Sequence, residues 1–164
     1  MTPGSGRRLY VAVVGGGQAD AASEHVAEEV GRLVAAAGAV VVCGGLGGVM
    51  AAACRGARSA GGTTVGILPG EDRSAANPWV SVALPTGMGE LRNALVVRAA
   101  DVVVAVGGEH GTLSEIALAL ALGRPVVGVG TWRLTRPDGS GEAGIAEAED
   151  AETAVALVVR LASC

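Results

Sequence analysis

Two charged side chains and three runs of glycine carry most of the chemistry this sequence offers. Glu115 stands in the first turn of a helix that opens from Val106-Gly107-Gly108-Glu109-His110-Gly111-Thr112-Leu113-Ser114-Glu115. Glycine in such a turn lets a ligand approach the backbone, and a helix beginning there aims unpaired N–H groups and the positive end of its dipole at that ligand. The loop suits an anion, phosphate above all. Arg92, whose helix begins near the same end of the sheet, adds a guanidinium that grips phosphate through two parallel donors. A carboxylate beside a bound sugar phosphate stabilises an oxocarbenium-like transition state or positions a water for hydrolysis. His110 can donate to the ligand or offset Glu109, whose charge otherwise opposes an anion in the same loop. Each has a plainer reading: Thr112 and Glu115 form a capping box, Arg92 lies on a solvated helix face, and His110 packs.

The elements that must position these groups follow from periodicity. Apolar, β-branched segments over 9–14, 39–43, 63–68, 101–106 and 126–129, with a weaker one over 79–84, predict strands, of which 126–129 is the last. Helical spacing predicts helices over 21–37, 49–60, 88–100, 112–122 and 151–162, the third with Leu91, Leu95, Val96 and Ala99 as its buried stripe. Residues 130–144 read as a loop in which Trp132 is the one large apolar side chain. Strands alternating with helices make an α/β, doubly wound parallel sheet of Rossmann-like type, with helices on both faces and ligands at the carboxyl ends of the strands. Gly15-Gly16-Gly17, Gly44-Gly45-Leu46-Gly47-Gly48 and Gly107 to Gly111 all fall at such ends, so three glycine loops converge on one crevice. No GxGxxG fingerprint follows the first strand, where Gly15-Gly16-Gly17 runs on into Gln18-Ala19-Asp20, and no acidic residue ends the second strand, which argues against NAD.

At 164 residues the chain makes one domain, 9–164, after a polar leader at 1–8 whose first six residues are expected to be disordered. It has no Phe, one Tyr and two Trp, so the core must be built from Val, Ala and Leu. A net charge of −4 and a pI near 5.1 remove the basic field on which non-specific nucleic-acid binding depends. All 12 basic residues are arginine. Without lysine there is neither a pyridoxal-phosphate Schiff base nor a Walker P-loop. Cys43, Cys54 and Cys164 are odd in number and lack CxxC spacing, as expected of reduced thiols in a cytoplasmic protein. His25 and His110 are too few and too far apart for a metal site, and no metal or cofactor is expected. The apolar run after Arg7-Arg8 is too short for a signal peptide or a membrane span.

Two motifs carry a resemblance. Cys43-Gly44-Gly45-Leu46-Gly47-Gly48-Val49-Met50-Ala51 resembles the GGGxxGLMG segment, and Gly107 to Glu115 the PGGxGTxxE segment, of the family misnamed lysine decarboxylase-like, which includes the Lonely Guy cytokinin-activating enzymes. Met88 to Asn93 is similar to its MHxRK segment, with Arg92 on the arginine. The resemblance implies a Rossmann-like homodimer that hydrolyses a nucleoside 5′-monophosphate to free base and ribose 5-phosphate. It makes Arg92 and Glu115 the catalytic pair and puts Gly108, Gly111 and Thr112 on the phosphate. Gly16, Gly44, Gly45, Gly48, Met88, Asn93, Gly107 and His110 complete the expected ligand-binding set. The departures are Gly107 for proline, Glu109 for the second glycine, Asn93 for lysine, and Cys43 and Ala51 for the outer glycines of the first motif. With Gly66-Ile67-Leu68-Pro69 and the short chain, they look more like a sister branch that includes molybdenum-cofactor carrier proteins, which use the same crevice to bind an anionic pterin without turnover. Either way the partner implied is a small phosphorylated ligand, with no nucleic acid and no membrane.

Overall fold

The computed structural model describes residues 6–141 and 144–164; most of the expected leader lies outside them. Seven strands form one wholly parallel sheet: β1 (Tyr10–Gly15), β2 (Val40–Cys43), β3 (Thr64–Leu68), β4 (Val82–Pro85), β5 (Val102–Val106), β6 (Val126–Val129) and β7 (Ile145–Glu147). Their order across the sheet is β4-β3-β2-β1-β5-β6-β7. The chain winds outward from β1 in one direction and, after β4, returns to place β5 on the other side of β1, which makes the β1/β5 boundary the switch point of the fold.

Parallel strands covered on both faces need apolar side chains on both, and β5 supplies them with Val-Val-Val-Ala-Val, buried throughout. On one face Val11, Val13, Val41 and Val104 pack beneath α1 (Ala21–Ala36), α2 (Val49–Ser59) and α5 (Ala151–Ala162). On the other, Ala12, Val14, Val42 and Val103 pack beneath α3 (Asn93–Ala99) and α4 (His110–Ala121). With no Phe, the core is made of small side chains, and the helices approach closely. At the crossing of α1 and α2 a Cβ on Gly31 would run into the carbonyl oxygen of Ala53, and one on Gly56 into that of Glu28. Backbone therefore lies against backbone there. Among the described residues no helix is long and apolar enough to cross a membrane.

Four local expectations are corrected. The sheet does not end at Val126–Val129: β7 adds to its edge, pairing Val126 with Ile145 and Gly128 with Glu147. Three residues with one large apolar side chain give no periodicity to read. The strand expected over 79–84 forms at Val82–Pro85. The single helix expected over 88–100 is a 3-10 turn, Gly89–Arg92, followed by α3. Gly87 and Gly89 both have positive φ, which a regular helix does not accommodate, so the chain enters in tighter turns. Leu91 consequently points to solvent, 72% exposed, while Arg92 turns inward with Val96 and Val97. Finally, α4 begins at His110 with Glu109 as N-cap and no side-chain capping bond, so Thr112 is its third residue and not its cap.

Candidate functional site

A cavity of about 370 Å³ opens at the carboxyl ends of the central strands. Its walls come from Gly15, Gly16, Gly17 and Gln18 after β1, Leu46 and Met50 around the start of α2, Glu90, Arg92 and Asn93, and Glu109, Gly111, Thr112 and Glu115 on α4. The three glycine loops meet here because their strands are neighbours or next-neighbours in the sheet.

Arg92 is held from inside the protein. It is 7% exposed; its Nε donates to the Ile67 carbonyl at 2.8 Å, Nη1 to the Asn93 side-chain oxygen, and Nη2 to the Gly44 carbonyl at 3.5 Å. A guanidinium carries five N–H donors, so with three engaged, two remain for a ligand. Gly44 is a condition of this arrangement. A Cβ there would lie 2.7 Å from Nη2 of Arg92 and 2.8 Å from the Met50 sulfur.

Thr112 is buried, and Glu115 projects from the next turn into the same cavity. Burial raises the Glu115 carboxyl to about 7; Arg92 opposes the shift and Glu90 adds to it. The group is thus divided between acid and carboxylate near neutrality and can donate or accept a proton. The uncapped N-terminus of α4 faces the cavity at Gly111 and Thr112. Arg92 and this helix end are the positive features; Glu90, Glu109 and Glu115 are the negative ones.

Of the residues singled out in the sequence, Gly16, Arg92, Asn93, Gly111, Thr112 and Glu115 line this cavity. Gly107 and Gly108 line an adjoining one of about 280 Å³ at the β1/β5 boundary, with Asp20 and Ser23. Gly45 and Gly48 act through backbone shape: both have positive φ, Gly45 lies against Leu68 and Gly66, and Gly48 against the Gly16 carbonyl. Met88 is 44% exposed outside the lining, and His110 tilts against Trp132 with ring centres 5.9 Å apart.

Gln18, Leu46, Met50 and Glu90 line the cavity without having been singled out. Each had a sequence signal: Leu46, Met50 and Glu90 lie inside the motif segments, and Gln18 just past a strand-ending glycine run. Thr131 and Trp132 were also missed as supports. Thr131 donates its hydroxyl to the Gly107 carbonyl at 2.5 Å and Trp132 its indole N–H to the Glu109 carbonyl at 3.1 Å, so the loop after β6 straps down the loop after β5.

A model of the SLOG cluster4 family matches residues 8–160. An uncharacterized protein of Archaeoglobus fulgidus is 42% identical over 118 residues, covering 72% of this chain and 78% of its own. Among solved structures, the molybdenum cofactor binding protein of Rippkaea orientalis superposes with a TM-score of 0.86 at 32% identity, covering 96% of this chain and 99% of its own. The molybdenum cofactor carrier protein of Chlamydomonas reinhardtii gives 0.84 at 32% identity, covering 96% and 100%. These likenesses span the fold from β1 to α5 and bear out the resemblance read from the glycine motifs. The chain belongs to the SLOG cluster4 family.

Proposed function

We propose that the protein binds a phosphate-bearing pterin of the molybdenum-cofactor type in the 370 Å³ cavity and carries it without chemical change. The observation that supports this most directly is that the uncapped α4 N-terminus and Arg92, with two N–H donors to spare, line one cavity together with Gly15, Gly16 and Gly17. Both solved structures named above are described as molybdenum-cofactor binding or carrier proteins and are similar along their whole length. On this reading Glu115 is part of the wall and takes no part in turnover. The test is loading of the purified protein with molybdenum cofactor, followed by its transfer to an apo-molybdoenzyme. Retention of cofactor by the wild type and at least tenfold weaker retention by Arg92→Gln are expected; equal retention by both proteins would sink the reading.

A second reading has its own support. A carboxyl near pH 7 beside an arginine is the pair that hydrolysis of a nucleoside 5′-monophosphate requires: Glu115 protonates the departing base or directs a water, and Arg92 holds the phosphate. Release of free base and ribose 5-phosphate from AMP, GMP, CMP, UMP or IMP, abolished in Glu115→Gln, would establish it. No release from any of the five would end it for the common nucleotides. We further propose a cytoplasmic homodimer. The unpaired cysteine count supports the compartment, and the exposed apolar side chains Val82, Leu84, Met88 and Leu91, which follow one another from the free edge strand to the Arg92 turn, support self-association.

A further inference from the structure

We propose that the opposite end of the sheet carries a second anion site, built for a small phosphate-bearing ligand with two or more negative charges. A cavity of about 310 Å³ there is lined by Arg7, Arg8, Arg98 and Arg124, together with Tyr10 and Asp101. It collects four of the chain's 12 basic residues around one carboxylate, in a protein whose net charge is −4. The inference does not depend on the function proposed for the glycine-loop cavity. Tyr10 and Gly15, at the two ends of β1, belong to the two cavities, so the sites lie ~17 Å apart at ~3.3 Å per residue.

The internal pairings do not neutralise this cluster. Asp101 is already engaged at both oxygens, by Arg7 and by the Tyr10 backbone N–H at 2.9 Å. Arg8 spends its Nε on the Gly38 carbonyl at 3.2 Å, and its terminal nitrogens have no partner among the described residues. Arg98 and Arg124 make no side-chain hydrogen bond or ion pair among the described residues. Elsewhere three arginines meet an acid, Arg32 on Glu29, Arg55 on Glu28 and Arg133 on Glu147, while Arg58 donates to the Gly62 carbonyl and the Ser81 hydroxyl. Four guanidinium charges less one carboxylate leave three positive charges around one cavity, a local excess that favours an anion there.

Helix ends account for part of the cluster only. Arg98 in the last turn of α3 and Arg124 just beyond α4 complement the negative ends of those helices. Arg8, on the Gly38 carbonyl just past the end of α1, does the same, whereas Arg7 reaches the cavity from outside any helix end and pairs with Asp101. The charge count sets the ligand class. A single carboxylate would leave two positive charges uncompensated, whereas a diphosphate group brings two or more negative charges and oxygens spaced for several guanidinium forks.

Inorganic pyrophosphate is the probe. Titrated calorimetrically into the full chain at low ionic strength, it should bind wild type and Arg92→Gln alike at this site, and at least tenfold more weakly in Arg98→Gln/Arg124→Gln. Nitrogen-detected NMR on the wild type should show the Arg98 and Arg124 Nε signals moving with pyrophosphate and not with sodium chloride of equal ionic strength; this measurement stands even where the double variant does not fold. Three results would overturn the proposal: no binding by wild type at millimolar pyrophosphate, binding untouched by the double substitution, or identical signal shifts with sodium chloride.

Discussion

Glu115 holds its proton because burial makes the charged form unfavourable, and that has a consequence for stability as well as for chemistry. Its carboxyl titrates near 7 in the folded chain against an ordinary value of 4.5, so the native state binds more protons than the unfolded chain between those limits. The penalty for ionisation is absent below the unfolded value and fully developed above pH 7. Glu115→Gln should therefore leave stability near pH 4.5 almost unchanged and raise it at pH 8 by roughly 1–3 kcal/mol, read from urea unfolding at the two pH values. A variant no more stable than wild type at pH 8 would mean the group is better solvated than its position implies. Gly44→Ala should act on the other charged group, pushing the Arg92 guanidinium off its seat and weakening phosphate-ligand affinity about tenfold or more, a loss measurable by calorimetry. Arg92 and Glu115 were both legible in the sequence, because a family motif marks them and their residue types name their chemistry. The inward turn of Arg92 was not: it depends on two positive-φ glycines that break the helical register, and periodicity cannot see φ.

At the scale of elements, α4 is the working part, and its first turn is free of side-chain capping because Glu109, not Thr112, occupies the cap. Free N–H groups at a helix start are available to an anion in a way that capped ones are not; α1, capped by Asp20 on the Ser23 N–H, offers the contrast. What fixes the approach to α4 is the strap after β6. Trp132→Ala removes the indole bond to the Glu109 carbonyl and the ring contact with His110. It should leave the sheet intact, speed amide exchange across 107–112, and lower ligand affinity several-fold. Unchanged exchange would show that Thr131 alone suffices. The strap lay beyond sequence reading because its two ends are more than 20 residues apart, joined by two hydrogen bonds that no local pattern encodes. The strong strands and the closing helix, by contrast, were legible almost to the residue: Val, Ala and Leu recur at clean periods, and glycine punctuates nearly every junction. β7 escaped because an edge strand of three residues is defined by its partner, not by its own composition.

For the molecule as a whole, the parallel arrangement brings every strand's carboxyl end to one rim, which is why three separate glycine motifs form one cavity. The free edge at β4 and the exposed apolar residues that follow it predict self-association. Leu91→Asp should shift the mass seen by light scattering from dimer to monomer, and a monomeric wild type would remove the basis of that expectation. The close crossing of α1 and α2 bears on how the cavity responds to a ligand. Gly31→Ala should destabilise the chain by about 1–3 kcal/mol or more in urea, since the two backbones must separate to admit one methyl group. With no side chains between them at that point, neither helix can slide or tilt without carrying the other. The loops at 16–18 and 44–48, which lead into those helices, should then behave in relaxation measurements as a single stiff lip. A ligand entering beneath it would find half of its site already ordered, so the entropy lost on binding would fall mainly on the side of the strap and the 3-10 turn.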